Sequence, residues 1–332
     1  TWIGVRCISR AKSAALVCVA SISLFTGGCI GGKGATPVTA YELKNYNQDL
    51  YQGKLYAEEL CVAQNDVTLE GYTEDTELHS AALFDLTGER VLYSYKAHER
   101  LYPASTTKIM TALLAIENAN LDDQVTISGN ADASSFPADA QVCGLAKGEV
   151  WTLRDLLGAL LLYSGNDAAT AIAEYVGGSE EAFVNMMNRR AQELMANGTH
   201  FMNPHGLHDD NHYTTAYDLY LIFNECIKHE DFVNIIQSEA YTAYYTDVDG
   251  NSQEALFTPT NLYAQGEVDV PENVTIVGGK TGTTDEAGYC LILMEKDSSD
   301  NPYISIVMGA SEKPVLYEDM TSLIEAIPSG QQ

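Results

Sequence analysis

Ser105 and Lys108 stand three residues apart, just ahead of an apolar run over residues 109–116. Positions i and i+3 of a helix share a face, so a serine hydroxyl there would lie one turn from a lysine amine. Serine is a weak nucleophile until a neighbour takes its proton, and a neutral, buried lysine can take it. The spacing alone is unspecific: Ser9 and Lys12 repeat it near the amino terminus, and an isolated match also suits a capping serine beside a solvated lysine. A second candidate is Ser164, Gly165 and Asn166, between the apolar stretches LLGALLLY and AATAIAEYV. Ser128, Gly129 and Asn130 repeat that order among small polar residues, as an ordinary loop does. The copy at 164–166 is pinned between apolar elements, which suits either a helix-joining turn or two side chains held in place. The third candidate, Lys280, Thr281, Gly282 and Thr283, closes a strand-like run. A cation and two hydroxyls beside a glycine could hold a carboxylate with the backbone close by, or simply end the strand.

The elements that must position these residues are written in the periodicity. AALFDL and RVLYSY alternate around Thr87 and Gly88, which predicts an antiparallel hairpin. Residues 105–118, 152–163, 166–176, 180–196 and 215–229 carry apolar residues at helical spacing. Gly177 and Gly178 stop one helix, and Ser179 is placed to cap the next. TIVGGKTG, GYCLILMEK and PYISIVMGA predict three strands, and residues 315–326 a closing helix. Strands at both ends with helices between them need a sheet built from distant parts of the chain. The expected class is therefore α+β, an antiparallel sheet flanked by helices with an inserted helical lobe.

Composition narrows the function. The 332 residues are 45% hydrophobic and 19% charged, which is ordinary for a globular protein. Eighteen basic residues against 46 acidic ones give −28, which argues against a nucleic-acid partner that must displace counterions. Residues 1–28 hold Arg6, Arg10 and Lys12 and no acid, then an apolar run over 14–25 of signal-peptide length. Gly27, Gly28 and Cys29 follow, resembling a bacterial lipoprotein signal in which Cys29 is lipidated, although Thr26 replaces the favoured leucine. Export and a lipid anchor on the outer face of the cytoplasmic membrane are expected, with 1–28 as signal segment, 29–65 as tether and N-terminal extension, and 66–328 as catalytic domain. Cys61, Cys143, Cys226 and Cys290 show no metal-ligand clustering, and their apolar surroundings favour unpaired thiols.

Taken in order, Ser-x-x-Lys, Ser-x-Asn and a late Lys-Thr-Gly resemble the penicillin-binding-protein and serine β-lactamase superfamily. The flanking stretches PASTTKIMTALLA, FMNPHGLHDD, HYTTAYDL and GGKTGTTDEAGYCLI are similar to the D-alanyl-D-alanine carboxypeptidase family of low-molecular-weight penicillin-binding proteins. That resemblance implies a β-lactamase/transpeptidase-like fold. It also implies a serine peptidase that removes the last D-alanine from peptidoglycan stem peptides ending in D-Ala-D-Ala and is acylated by β-lactam antibiotics. By the same resemblance, Ser105 attacks the carbonyl, Lys108 accepts the serine proton, Ser164 relays a proton to the leaving group, and Asn166 orients Lys108 and the substrate amide. Lys280 supplies positive potential, Thr281 and Thr283 bind the terminal carboxylate with Gly282 between them, and the amides of Ser105 and Thr283 form the oxyanion hole. No cofactor or metal is implied.

Other readings stay open on sequence. A class A β-lactamase would place a glutamate in a Glu-x-x-Leu-Asn loop, and none follows Ser164. A non-enzymatic lipoprotein sensing peptidoglycan or β-lactam would tolerate loss of Ser105 or Lys108, and both are intact. His205 invites a triad with Asp209 or Asp218, but the Asn, Pro and Gly around it predict a structured turn. His200, His208 and His212 match no standard metal spacing, and Asp167 and Glu181 read as helix-end charges. Many relatives carry a β-rich domain and an amphipathic carboxy-terminal anchor. The residues after Ala310 show no basic apolar face of that kind, a role that lipid on Cys29 would fill.

Overall fold

Ser80–Asp85 (β1) and Arg90–Tyr95 (β2) form the expected antiparallel hairpin. Asp85 ties its turn, accepting the Gly88 amide at 2.8 Å and pairing with Arg90 at 2.6 Å. The structure, a computed structural model, describes residues 59–69, 72 and 79–328. Cys29, the signal segment and most of the tether lie outside the described residues. These fall in one compact unit, Leu55–Gln332. Cys61 and Ala63, near the end of the N-terminal extension, belong to its buried interior.

A single 3-10 turn, Ala104–Thr107, runs into the first helix, Lys108–Asn118 (α1), where continuous helix from 105 was expected. The helical lobe continues with short strands Gln124–Thr126 (β3) and Val150–Thr152 (β4). Leu153–Gly158 (α2) follows and widens into a π-helical turn, Ala159–Tyr163. The expected straight helix over 152–163 is thus broken in register, and Ser164 closes it in the left-handed region at φ 70°. Asn166–Gly177 (α3) and Glu180–Glu193 (α4) come next, the latter ending three residues short of the expected 196. Ser179 caps α4 by accepting the Ala182 amide, as its position suggested. Ala216–Cys226 (α5) and Glu230–Ile236 (α6) complete this bundle.

The chain then adds the hairpin Tyr241–Thr246 (β5) and Ser252–Phe257 (β6), a short helix Leu262–Gln265 (α7), and three long strands. These strands are Val274–Thr284 (β7), Gly288–Asp297 (β8) and Pro302–Ala310 (β9), before the closing helix Lys313–Glu325 (α8). The main sheet has the order β2-β1-β9-β8-β7, so first and last strands meet at its centre. Ala81, Leu83, Leu291, Leu293 and Val307 turn one face toward α8. Ala82, Phe84, Ile292, Ile304 and Ile306 turn the other toward the helical lobe, whose core includes Leu113, Leu157, Ile172 and Phe223. A second sheet, β3-β4-β5-β6, was not foreseen. Cys61, Cys143, Cys226 and Cys290 are free thiols, as their surroundings suggested. None of the helices among the described residues is long and apolar enough to cross a membrane.

Candidate active site

Three elements converge on Ser105. The 3-10 turn presents Ser105, and Ala104 before it is held in the left-handed region at φ 47°, a strained conformation of the sort kept at functional turns. Two backbone approaches lock that turn. A Cβ on Gly206 would lie 1.9 Å from the Ala104 carbonyl oxygen, and one on Gly282 would lie 3.0 Å from the Ser105 amide nitrogen. Only glycine admits such contacts, so β7 and the 203–207 turn both press their backbone against the turn that carries Ser105.

Lys108, one turn on, has no exposed surface. Its Nζ lies 2.8 Å from Ser105 Oγ, 2.7 Å from Asn166 Oδ1 and 2.6 Å from the His205 carbonyl oxygen. Burial, then the nearby charge of Lys280, hold its pKa well below that of a free lysine. Lys280 comes from β7, is also buried, and donates to Ser164 Oγ and to the Thr281 carbonyl oxygen, each at 2.8 Å. Burial pushes its pKa down to about 7. Ser105, Ser164, Asn166, Thr281, Gly282 and Thr283 all line one cavity of about 830 Å³. The three motifs therefore meet at one place: these six residues line the cavity, Lys108 and Lys280 are buried in contact with Ser105, Asn166 and Ser164, and Gly165 joins Ser164 to Asn166.

The decoys part company with the site. Ser128 and Asn130 bond the Glu174 carboxylate, which makes that copy a loop anchor. His205 serves through its backbone: its Nδ1 accepts the Leu207 amide, while Asp218 is bonded to Thr199. No triad forms. His200, His208 and His212 face separate partners, namely the Asn211 carbonyl, Asp210 and Thr107. Since Met202 donates its amide to Nδ1 of His212, Nε2 carries the hydrogen and donates to Thr107 at 2.7 Å. Asp167 is more than a helix-end charge, because it accepts the amides of Cys143, Gly144 and Leu145. The NPHGL segment forms the structured turn that its Asn, Pro and Gly predict. Its carbonyl contact to Lys108 has no side-chain signature from which spacing could have found it.

A serine-bearing turn set against an edge strand, with a helical lobe inserted in an antiparallel sheet, defines the β-lactamase/transpeptidase-like class. Residues 67–312 match the D-alanyl-D-alanine carboxypeptidase (Peptidase_S11) family, and the chain belongs to it. It is 34% identical over 254 residues to D-alanyl-D-alanine carboxypeptidase DacF of Bacillus subtilis, covering 75% of this chain and 61% of that protein. Likeness to DacC of Escherichia coli is 31% over 249 residues, covering 73% and 59%. The chain thus spans about three fifths of the length of these two curated relatives. Among solved structures, the Streptomyces K15 DD-transpeptidase superposes with a TM-score of 0.70 at 28% identity, covering 77% of this chain and 98% of that one.

Proposed function

We propose that this chain is a serine-type D-Ala-D-Ala carboxypeptidase acting through an acyl-enzyme on Ser105. The observation that carries the reading is the surroundings of Lys108. A neutral amine has two N–H groups and one lone pair, and here three oxygen partners lie within 2.8 Å. The N–H groups satisfy Asn166 Oδ1 and the His205 carbonyl, which leaves the lone pair aimed at the Ser105 hydroxyl. As Ser105 Oγ bonds to the substrate carbonyl carbon, its proton passes to Lys108. Lys280 donates to Ser164 Oγ, so the Ser164 hydrogen is available to the departing amine, and the Lys108 proton follows that path as the peptide bond breaks. Thr281 and Thr283, beside the Lys280 charge, take the terminal carboxylate. The Ser105 and Thr283 amides face the oxyanion, where such donors contribute about 3–4 kcal/mol. Water then cleaves the ester, returning the proton to Ser105.

Membership of the family, the intact motifs and the pocket support peptidoglycan stem peptides as substrate and β-lactams as acylating inhibitors. The experiment pairs a fluorescent penicillin with D-alanine release from a diacetyl-lysyl-D-Ala-D-Ala peptide. Covalent labelling with D-alanine release supports the peptidase. Rapid penicillin turnover would make the protein a β-lactamase, and reversible binding alone a sensor. We assign residues 1–28 to an export signal, 29–65 to a tether and N-terminal extension whose Cys61 and Ala63 pack into the unit, and 66–328 to catalysis, with lipid on Cys29 holding the enzyme at the outer face of the cytoplasmic membrane. Palmitate labelling that persists in Cys29→Ala would remove the anchor from this scheme.

A further inference from the structure

Asp167 takes no part in the chemistry just described, yet it sits beside Asn166 at the start of α3 with no exposed surface. A buried carboxylate is costly unless hydrogen bonds replace its water. Here backbone amides replace it: Cys143 donates at 2.9 Å to both oxygens, Gly144 at 2.9 Å and Leu145 at 3.0 Å to Oδ2, and Ala168 at 2.9 Å to Oδ1. Three of these donors are consecutive residues of a loop more than 20 positions away in sequence. Gly144, at φ 87°, gives the loop the turn that lets them converge, and such a concavity of amides suits an anion.

The same loop is a wall of the active-site cavity, through Asp139, Ala140 and Gln141. Gln141 accepts the Asn166 amide at 2.8 Å. A Cβ on Gly165 would lie 2.2 Å from Cys143 Sγ, so the loop rests directly on the turn that carries Ser164 and Asn166. We infer that Asp167 is a positioning residue of the acyl-transfer site: its carboxylate gathers the 143–145 amides and so holds the cavity wall and the Asn166–Lys108 contact in register. The inference rests on Ser105 being the nucleophile. Asp167 also acts on Lys108 through space. The titratable groups around that amine are Lys280 on β7, Cys143 on the wall, His205 and His212 on the 203–212 segment, and Asp167. Asp167 is the carboxylate set against the Lys280 charge, and its field favours a proton on Lys108.

The test is Asp167→Asn in the full chain, with activity counted per Ser105 labelled by fluorescent penicillin. Asparagine turns an N–H pair toward amides that need an acceptor and removes the charge. A displacement of about 1 Å near reacting groups costs on the order of a hundredfold, so kcat should fall about ten- to a hundredfold. The acid limb of the kcat profile should move to lower pH, because Lys108 loses the anion that helps it keep a proton. A variant that merely melts earlier, with wild-type kcat per labelled site and an unmoved acid limb, would sink the proposal. Should the variant not fold, amide exchange in the wild-type protein decides. Exchange at Cys143–Leu145 as slow as in β8 supports the anchor, and exchange at the pace of an exposed loop overturns it. A wild-type protein that neither labels at Ser105 nor releases D-alanine refutes the nucleophile reading and this role together, whereas loss confined to Asp167→Asn leaves that reading standing.

Discussion

In the proposed reaction Ser105 passes its proton to a neutral Lys108, so the acidity of two buried amines would govern the rate. Burial and the Lys280 charge both disfavour the protonated form of Lys108. Low pH restores that form and blocks acylation. The rate of penicillin labelling should therefore climb from pH 5 upward, and a rate flat to pH 10 with chemistry limiting would remove Lys108 as the base. Lys280 works in the opposite sense. With a pKa of about 7, it loses its charge as the solution turns alkaline, so KM for a peptide carboxylate should rise above neutrality while kcat holds. Ser164→Ala removes the proton path and should lower turnover about 10²–10⁴-fold, leaving slow labelling of Ser105; unchanged turnover would point to another shuttle. That Ser105, Lys108, Ser164, Asn166 and Lys280 come together was legible in the sequence, because the three motifs carry particular side chains in a particular order. The His205 carbonyl and the Asp167 anchor were not. A main-chain oxygen looks alike in every residue, and an acid at a helix start already has an ordinary explanation in the helix dipole.

Elements hold these groups by close backbone contact as much as by side chains. A Cβ at Gly282 would lie 2.9 Å from the Pro103 carbonyl oxygen and 3.0 Å from the amides of Ser105 and Thr106. Backbone surrounds it, so Gly282→Ala must part β7 from the nucleophile turn. Acylation should fall about a hundredfold with little change in Tm, and an alanine variant labelled at the wild-type rate would show the clamp to be slack. Strand β8 carries a different burden. Glu295 has no exposed surface, one partner in the Ser305 hydroxyl, and a second oxygen with no hydrogen-bond partner among the described residues. Burial raises its pKa well above that of a free carboxyl. The folded state keeps the proton that the unfolded chain releases above about pH 4.5, so this residue costs stability progressively as pH rises. Glu295→Met should stabilise the protein by about 1–3 kcal/mol at pH 7 and flatten that slope; urea titrations at pH 5 and pH 8 test both effects. The β1–β2 hairpin was legible from alternation around a turn, and β7 to β9 from long apolar, glycine-marked runs of nine residues or more. β3 and β4 are three residues each, too short for a period, and β4 finds β5 across some 90 positions. The π-helical turn escaped notice because ALLLY suits any buried helix equally.

Across the whole molecule, one apolar core joins the inner face of the main sheet to the helical lobe, reaching from Ile304 and Ile306 through Leu113 to Trp151. Two lobes that share a core should melt together. In a Trp2→Phe background, Trp151 fluorescence, which reports on its stacking with Tyr245 at 4.2 Å, should follow the same urea curve as far-UV circular dichroism. Separate midpoints would mean that the lobes unfold independently. The strand order β2-β1-β9-β8-β7 has a further consequence for synthesis. A ribosome makes β1 more than 200 residues before β9, and for that interval the hairpin has an unpaired rim flanked by Ala81 and Leu83, an invitation to adhere to other chains. A nascent chain halted after Asp297 would carry two such rims, on β1 and on β8. It should precipitate unless a chaperone sheltered it until the final strand slotted between them.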